Sequence, residues 1–196
     1  MNNVQVMKRD QLKTAILKLG WNVLSTQGAH ALRIRYLAKE SGCSIGTVYN
    51  VFDSLDEIIL YLNVRSLDIL YQDTFAALKE AKDLKEGIRK ICNAYMNFAK
   101  NYPNQWKTLF ENVSSEFVPD WYLEAVNSKF HAIEKQLAEQ FGLDETEAKK
   151  LVGFFWAAIH GITSIMLNKK MRIVESNVCE EDLDAYIEHC IIGMIP

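Results

Sequence analysis

Within residues 32–52, LRIRYLAKESGCSIGTVYNVF, Arg33 and Arg35 are followed across a glycine by Ser44, Thr47, Tyr49 and Asn50. Guanidinium forks grip phosphates and guanine edges, while hydroxyls, amides and helix N-termini bind phosphate oxygens. The chemistry these types offer is recognition of a nucleic acid. Ile45 and Gly46, uncharged and next to Ser44, suit close approach to a groove.

Two elements must present these groups. Ile34, Leu37, Ala38 and Ser41 recur at steps of three and four, which predicts a helix with one buried face and with Arg33, Arg35 and Lys39 in water. Gly42 supplies the positive φ that a helix C-terminus commonly requires, and Ser44 is placed to cap a second helix over Ile45–Phe52. Two short helices joined by a tight glycine turn form a helix-turn-helix, although any helical hairpin could show the two-helix pattern.

Charge supports a basic head. Residues 1–52 hold seven basic and two acidic side chains, a net of +5, which leaves fifteen basic and twenty-three acidic in the remainder, a net of −8. Such asymmetry concentrates attraction for phosphate at one end of a chain whose total is only −3.

The rest of the sequence reads as all-α, with about nine helices and no repeat or low-complexity tract. Hydrophobic content of 49% provides a core, and only three prolines interrupt 196 residues. The expected helices run from Asp10 to Gln27, through the motif pair, from Ser54 to Leu78, Asp83 to Tyr102, Pro103 to Val113, Pro119 to Phe141, Glu145 to Met171 and Glu181 to Ile195. Ser54 with Glu57 three residues on makes a capping box, and the helix that follows, about 36 Å long at 1.5 Å per residue, suffices to link a head to a separate body. The boundaries are drawn at 1–53 for a DNA-binding domain and 54–196 for a helical ligand-binding and dimerisation domain.

The motif resembles the signature of the TetR family of transcriptional regulators. The resemblance rests on Leu37-Ala38, then Ser41-Gly42-Cys43-Ser44-Ile45-Gly46-Thr47-Val48-Tyr49-Asn50-Val51-Phe52, then Ser54-Leu55-Asp56. Two positions differ: Arg33 stands where the family usually has Thr or Ser, and Leu55 where it usually has a phosphate-binding Lys. The resemblance implies a ligand-responsive regulator, a repressor, binding a near-palindromic operator in double-stranded DNA as a homodimer. Arg35, Ile45, Gly46 and Thr47 are then expected at base edges, with Ser44, Tyr49 and Asn50 on phosphates and Arg33 as an added clamp. Trp156, His160 and Gly161, in the wording WAAIHG, resemble a Trp-His-Gly motif of one branch of the family.

Two further surfaces are expected. The helix from Glu145 is apolar nearly all round, and Gly153, Ala157 and Gly161 fall four apart. Together with Ile165, and with Leu183, Ile187, Cys190, Ile191 and Met194 on the last helix, they are the expected dimer interface. The aromatics Tyr95, Phe98, Trp106, Phe110, Trp121, Phe130, Phe155 and Trp156, with His160, are candidates to line a pocket for a small apolar or amphipathic effector, although core packing explains most of them equally well.

Other classes receive little support. No Gly-rich phosphate loop, GxSxG or HExxH is present. Cys43, Cys92, Cys179 and Cys190 and the four histidines have no metal-ligand spacing, so neither an enzyme nor a cofactor is expected. The apolar stretch Leu151–Leu167 falls short of the roughly 20 residues of a spanning helix, and no leader is visible, so the expectation is a cytoplasmic protein without a membrane partner. The alternative is a helical small-molecule-binding or sequestering protein whose helix-turn-helix no longer reads DNA.

Overall fold

The computed structural model describes residues 3–110, 118–168 and residue 187, with side chains from Lys8 onward. Among these residues lie eight α-helices and no strand: α1 Asn3–Gln27, α2 Ile34–Glu40, α3 Ile45–Tyr49, α4 Leu55–Lys79, α5 Leu84–Asn101, α6 Pro103–Phe110, α7 Asp120–Phe141 and α8 Glu145–Leu167, with a 3-10 turn at Ala29–Ala31. The all-α class follows. The expected ninth helix and the continuation of the eighth to Met171 lie outside the described residues.

Local chemistry sets most boundaries. At the end of α2, Gly42 takes φ +67, which lets its N–H donate to the Lys39 carbonyl at 3.1 Å and the Cys43 N–H to the Ala38 carbonyl at 3.0 Å. Ser54 Oγ accepts from the Glu57 N–H at 3.0 Å, and the Glu57 carboxylate accepts from the Asp53 N–H at 2.6 Å, a capping box displaced by one residue. Two boundaries differ from expectation. α1 begins at Asn3, since no glycine or proline interrupts the ladder before Asp10. α3 stops at Tyr49 because the Val51 and Phe52 N–H groups both turn back to the Val48 carbonyl at 2.9 Å, while their side chains go into the core.

The chain divides into two compact units. Unit one comprises residues 1–67 and 102–122, and unit two comprises 68–101 and 123–196.

In unit one, Ile16, Leu24, Leu32, Leu37, Val48, Phe52, Ile58 and Leu62 form one buried cluster drawn from α1, α2, α3 and the start of α4. Each such aliphatic contributes about 1.5–3 kcal/mol over an exposed position. α6 is fastened to the end of α1, where Asn104 Nδ2 donates to the Ser25 carbonyl at 3.0 Å and Gln105 Nε2 to Ser25 Oγ at 2.7 Å. The helix-turn-helix thus sits on a rigid base.

In unit two, α5 buries Ile88, Cys92, Tyr95, Met96 and Ala99, spaced at three and four, and packs against α8. The facing stripe of α8 is Ala148, Val152, Phe155, Ile159 and Thr163. At Gly87 a Cβ would stand 3.1 Å from Leu78 Cδ1 and 3.2 Å from Phe141 Cζ, so only glycine permits this crossing without displacement. Gln140 Nε2 donates to the carbonyls of Leu78 and Ala81, at 3.2 and 2.8 Å, satisfying acceptors left at the end of α4.

α8 is by length and composition apolar enough to cross a membrane. Its buried stripe covers one side. The other side presents Gly153, Phe154, Ala157 and Ile165 to solvent, with Phe154 47% and Ile165 41% exposed.

Candidate nucleic-acid interface

The site is assembled from α2, α3 and the turn between them. Ser44 caps α3: its Oγ accepts from the Thr47 N–H at 3.1 Å and shares a 2.8 Å hydrogen bond with Thr47 Oγ1. That pair stiffens the first turn of a helix only five residues long, whose opposite side is anchored by the buried Val48. Stiffness is needed, because an isolated helix of this length is unstable in water.

Around this cap most of the expected residues are in water. Ile45 is 41% and Tyr49 51% exposed, and Gly46, Asn50 and Arg35 are exposed as well, whereas Thr47 is half-buried. Two large apolar side chains in water at the tip of a capped helix are costly unless something covers them. A Cβ on Gly46 would meet only Ser44 Oγ, at 3.8 Å, so packing within the protein does not demand glycine there. The open space faces outward.

Arg33 is exposed, and its Nη1 donates to the carbonyls of His30 and Leu32, at 2.6 and 2.7 Å, so the guanidinium ties down the 3-10 turn ahead of α2. Leu55, standing where the family signature has lysine, packs partly buried against the core of unit one. Lys13 lies 3.8 Å from the ring centroid of Tyr61, and Arg65 4.2 Å from that of Trp21, two cation–π contacts that hold cations against unit one's own rings. Tyr36, next to Arg35 on α2, is also 45% exposed, at a position the helical period assigns to the basic, wet face.

The aromatic candidates fall into two groups. In unit one Trp106 is buried and packs at 4.6 Å on Phe110, and Trp121 stacks at 4.4 Å on Tyr61. In unit two the Tyr95 hydroxyl lies 3.0 Å from His160 Nδ1, Trp156 stacks on His160 with centroids 5.6 Å apart, and Phe130 meets Trp156 edge-on at 6.0 Å. Phe98 and Phe155 are buried in that unit's core. Burial holds the Tyr95 phenol well above its ordinary pKa.

Of the expected dimer residues, Gly153, Ala157 and Ile165 are exposed and Gly161 is half-buried, and a Cβ on either glycine would meet nothing within 4 Å. Ile187 is 1% exposed within the single chain, so its burial needs no second copy. Leu183, Cys190, Ile191 and Met194 lie outside the described residues. Among the described residues no cluster of histidine, cysteine and carboxylate could hold a metal.

Comparison with known proteins identifies both halves. Residues 16–62 match the family model described as bacterial regulatory proteins, tetR family, and residues 88–191 match that of the tetracyclin repressor-like C-terminal domain. The uncharacterized HTH-type transcriptional regulator Rv0681 of Mycobacterium tuberculosis is 22% identical over 172 residues, covering 87% of this chain and 77% of that protein. A protein of unknown function from Rhodococcus sp. RHA1 superposes with a TM-score of 0.72 at 16% identity, over 93% of this chain and 94% of the other. The transcriptional regulator FadR of Bacillus subtilis, solved with stearoyl-CoA, superposes with a TM-score of 0.61 at 16% identity, over 92% and 96% of the two chains. These structural likenesses show the fold, while the family models carry the identification. Members of the family are DNA-binding regulators rather than enzymes, and this chain belongs to the TetR family of bacterial transcriptional regulators.

Proposed function

We propose that the protein is a cytoplasmic repressor that binds a near-palindromic operator as a homodimer and is released from it by an amphipathic small molecule. The observation that carries the reading is the Ser44-capped α3 with Ile45, Gly46, Tyr49 and Asn50 exposed beside Arg35. Arg35 and the first residues of α3 read base edges, and Tyr49, Asn50 and the α3 N-terminus hold phosphates. Residues 1–53 act as the reading head, and 54–196 take the effector and the second copy.

Dimerisation is supported by the solvent-facing side of α8. Gly153, Ala157 and Gly161 let another helix come close, and Phe154 and Ile165 would leave water on pairing. Two heads related by a two-fold axis meet successive major grooves roughly 34–36 Å apart. A dimer lying over promoter DNA represses by excluding polymerase.

The amphipathic class of effector is supported by the unit-two aromatics, which place a polar node of Tyr95 and His160 beside the rings of Trp156 and Phe130. FadR, similar in fold, was solved with stearoyl-CoA, which combines an acyl chain with a polar head. Footprinting on the DNA flanking the protein's own gene tests the proposal. Two protected patches one helical turn apart, cleared by stearoyl-CoA, are expected. A single patch contradicts the dimer, and patches indifferent to stearoyl-CoA contradict an acyl effector.

A further inference from the structure

The first turn of α7 is joined to α4 by contacts that the reading of DNA does not use. Trp121 stacks on Tyr61 with centroids 4.4 Å apart and planes 15° from parallel. On the same tyrosine ring sits Lys13 of α1, its Nζ 3.8 Å from the centroid. Next to Trp121, Tyr122 is buried, as is Asn63 two residues beyond Tyr61 on α4. The stack, the cation–π contact and the helix α1 that it reaches lie within unit one.

The position of this joint in the chain gives it meaning. The chain passes between the units after Leu67, after Asn101 and after Tyr122. The first and last of these passages lie inside α4 and α7, and a continuous helix transmits displacement along its axis. The middle passage lies at Tyr102, between α5 and Pro103 at the start of α6, where no helix is continuous. Two rods therefore leave unit one, and inside it they are pinned to each other by stacked rings.

We propose that the Tyr61–Trp121 stack is the coupling joint through which a displacement of α7 in unit two is passed to α4 and, by way of Lys13, to the first helix of the reading head. This deepens the effector-response reading and rests on it. In this arrangement α7 drives α4. Coupling between sites is reciprocal, so DNA held by the head must in turn bias the start of α7. Trp121 is thereby assigned to signal transfer rather than to a pocket wall.

Hydrogen exchange on the full chain, with and without DNA flanking its own gene, tests the joint. In the wild type, DNA is expected to slow exchange of the amides of residues 122–127 at least about five-fold, the low end of typical allosteric coupling. Trp121→Leu should cut that response below two-fold while a mobility shift shows affinity for DNA within three-fold of wild type. Trp121→Phe, which keeps a ring against Tyr61, should retain more than half of the response. A wild-type α7 that ignores bound DNA, or a response that persists in Trp121→Leu, overturns the joint. If no DNA shifts at all, the DNA-binding reading has failed, and the DNA-free exchange then decides: Trp121→Leu should accelerate residues 59–65 of α4 together with 122–127, and acceleration confined to α7 overturns the proposal.

Discussion

The hydroxyl of Tyr95 on α5 meets Nδ1 of His160 on α8 at 3.0 Å. Burial holds the phenol protonated well above its ordinary pKa. A residue that resembles part of a family motif is thus bonded to the facing helix, which clamps α5 to α8.

Tyr95→Phe removes the bond to His160 and keeps the ring. A loss of about 0.5–1.5 kcal/mol in urea unfolding is expected. Stability equal to wild type would show that the bond holds nothing together.

Leu55→Lys restores the cation that the family signature has at this position. Since Leu55 packs only partly buried at the edge of the core, its replacement should be tolerated. Affinity for DNA should rise, and the slope of log affinity against log salt should steepen by about 1. An unchanged slope would mean that this position does not approach phosphate.

Gly153→Ala and Gly161→Ala separate the protomer from the dimer. Each new methyl meets nothing within 4 Å inside the chain, and alanine favours a helix interior by roughly 1 kcal/mol over glycine. The doubly substituted protomer should therefore be at least as stable, while the proposed dimer, deprived of close helix approach, should dissociate at lower dilution in sedimentation. Unchanged association would remove these glycines from the interface.

Cys92 gives the stability a defined alkaline limit. Burial pushes its thiol from an ordinary value of 9.0 up to about 12. The unfolded chain loses that proton first, so the contribution is present in full below pH 9 and is lost as pH rises from 9 towards 12, at about 1.4 kcal/mol per unit. Cys92→Ala should flatten this part of the alkaline unfolding profile, and a profile of equal steepness would contradict the assignment.

The sequence was most legible where structure is local. Gly42, Ser44, Ser54 with Glu57, and Pro103 each act through their own neighbours, and the helix ends they mark lie where those residues put them. Side chains that answer to distant partners were not legible, nor was the turn of Arg33 onto the nearby carbonyls of His30 and Leu32, since no periodicity announces the 3-10 turn ahead of α2. The stack of Trp121 on Tyr61 joins residues sixty apart, and the division of the aromatics between two units follows from how α6 and the start of α7 dock. Helical spacing says which face of a segment is apolar, not which other face it meets.

The measurement that bears most directly on the central claim is equilibrium binding to the operator duplex and to an unrelated duplex of equal length, between 50 and 200 mM salt. A helix-turn-helix that reads base edges predicts preference for the operator of at least about a thousand-fold, with log affinity falling linearly in log salt for both duplexes. Equal affinity for the two duplexes, or no binding to either, would contradict it.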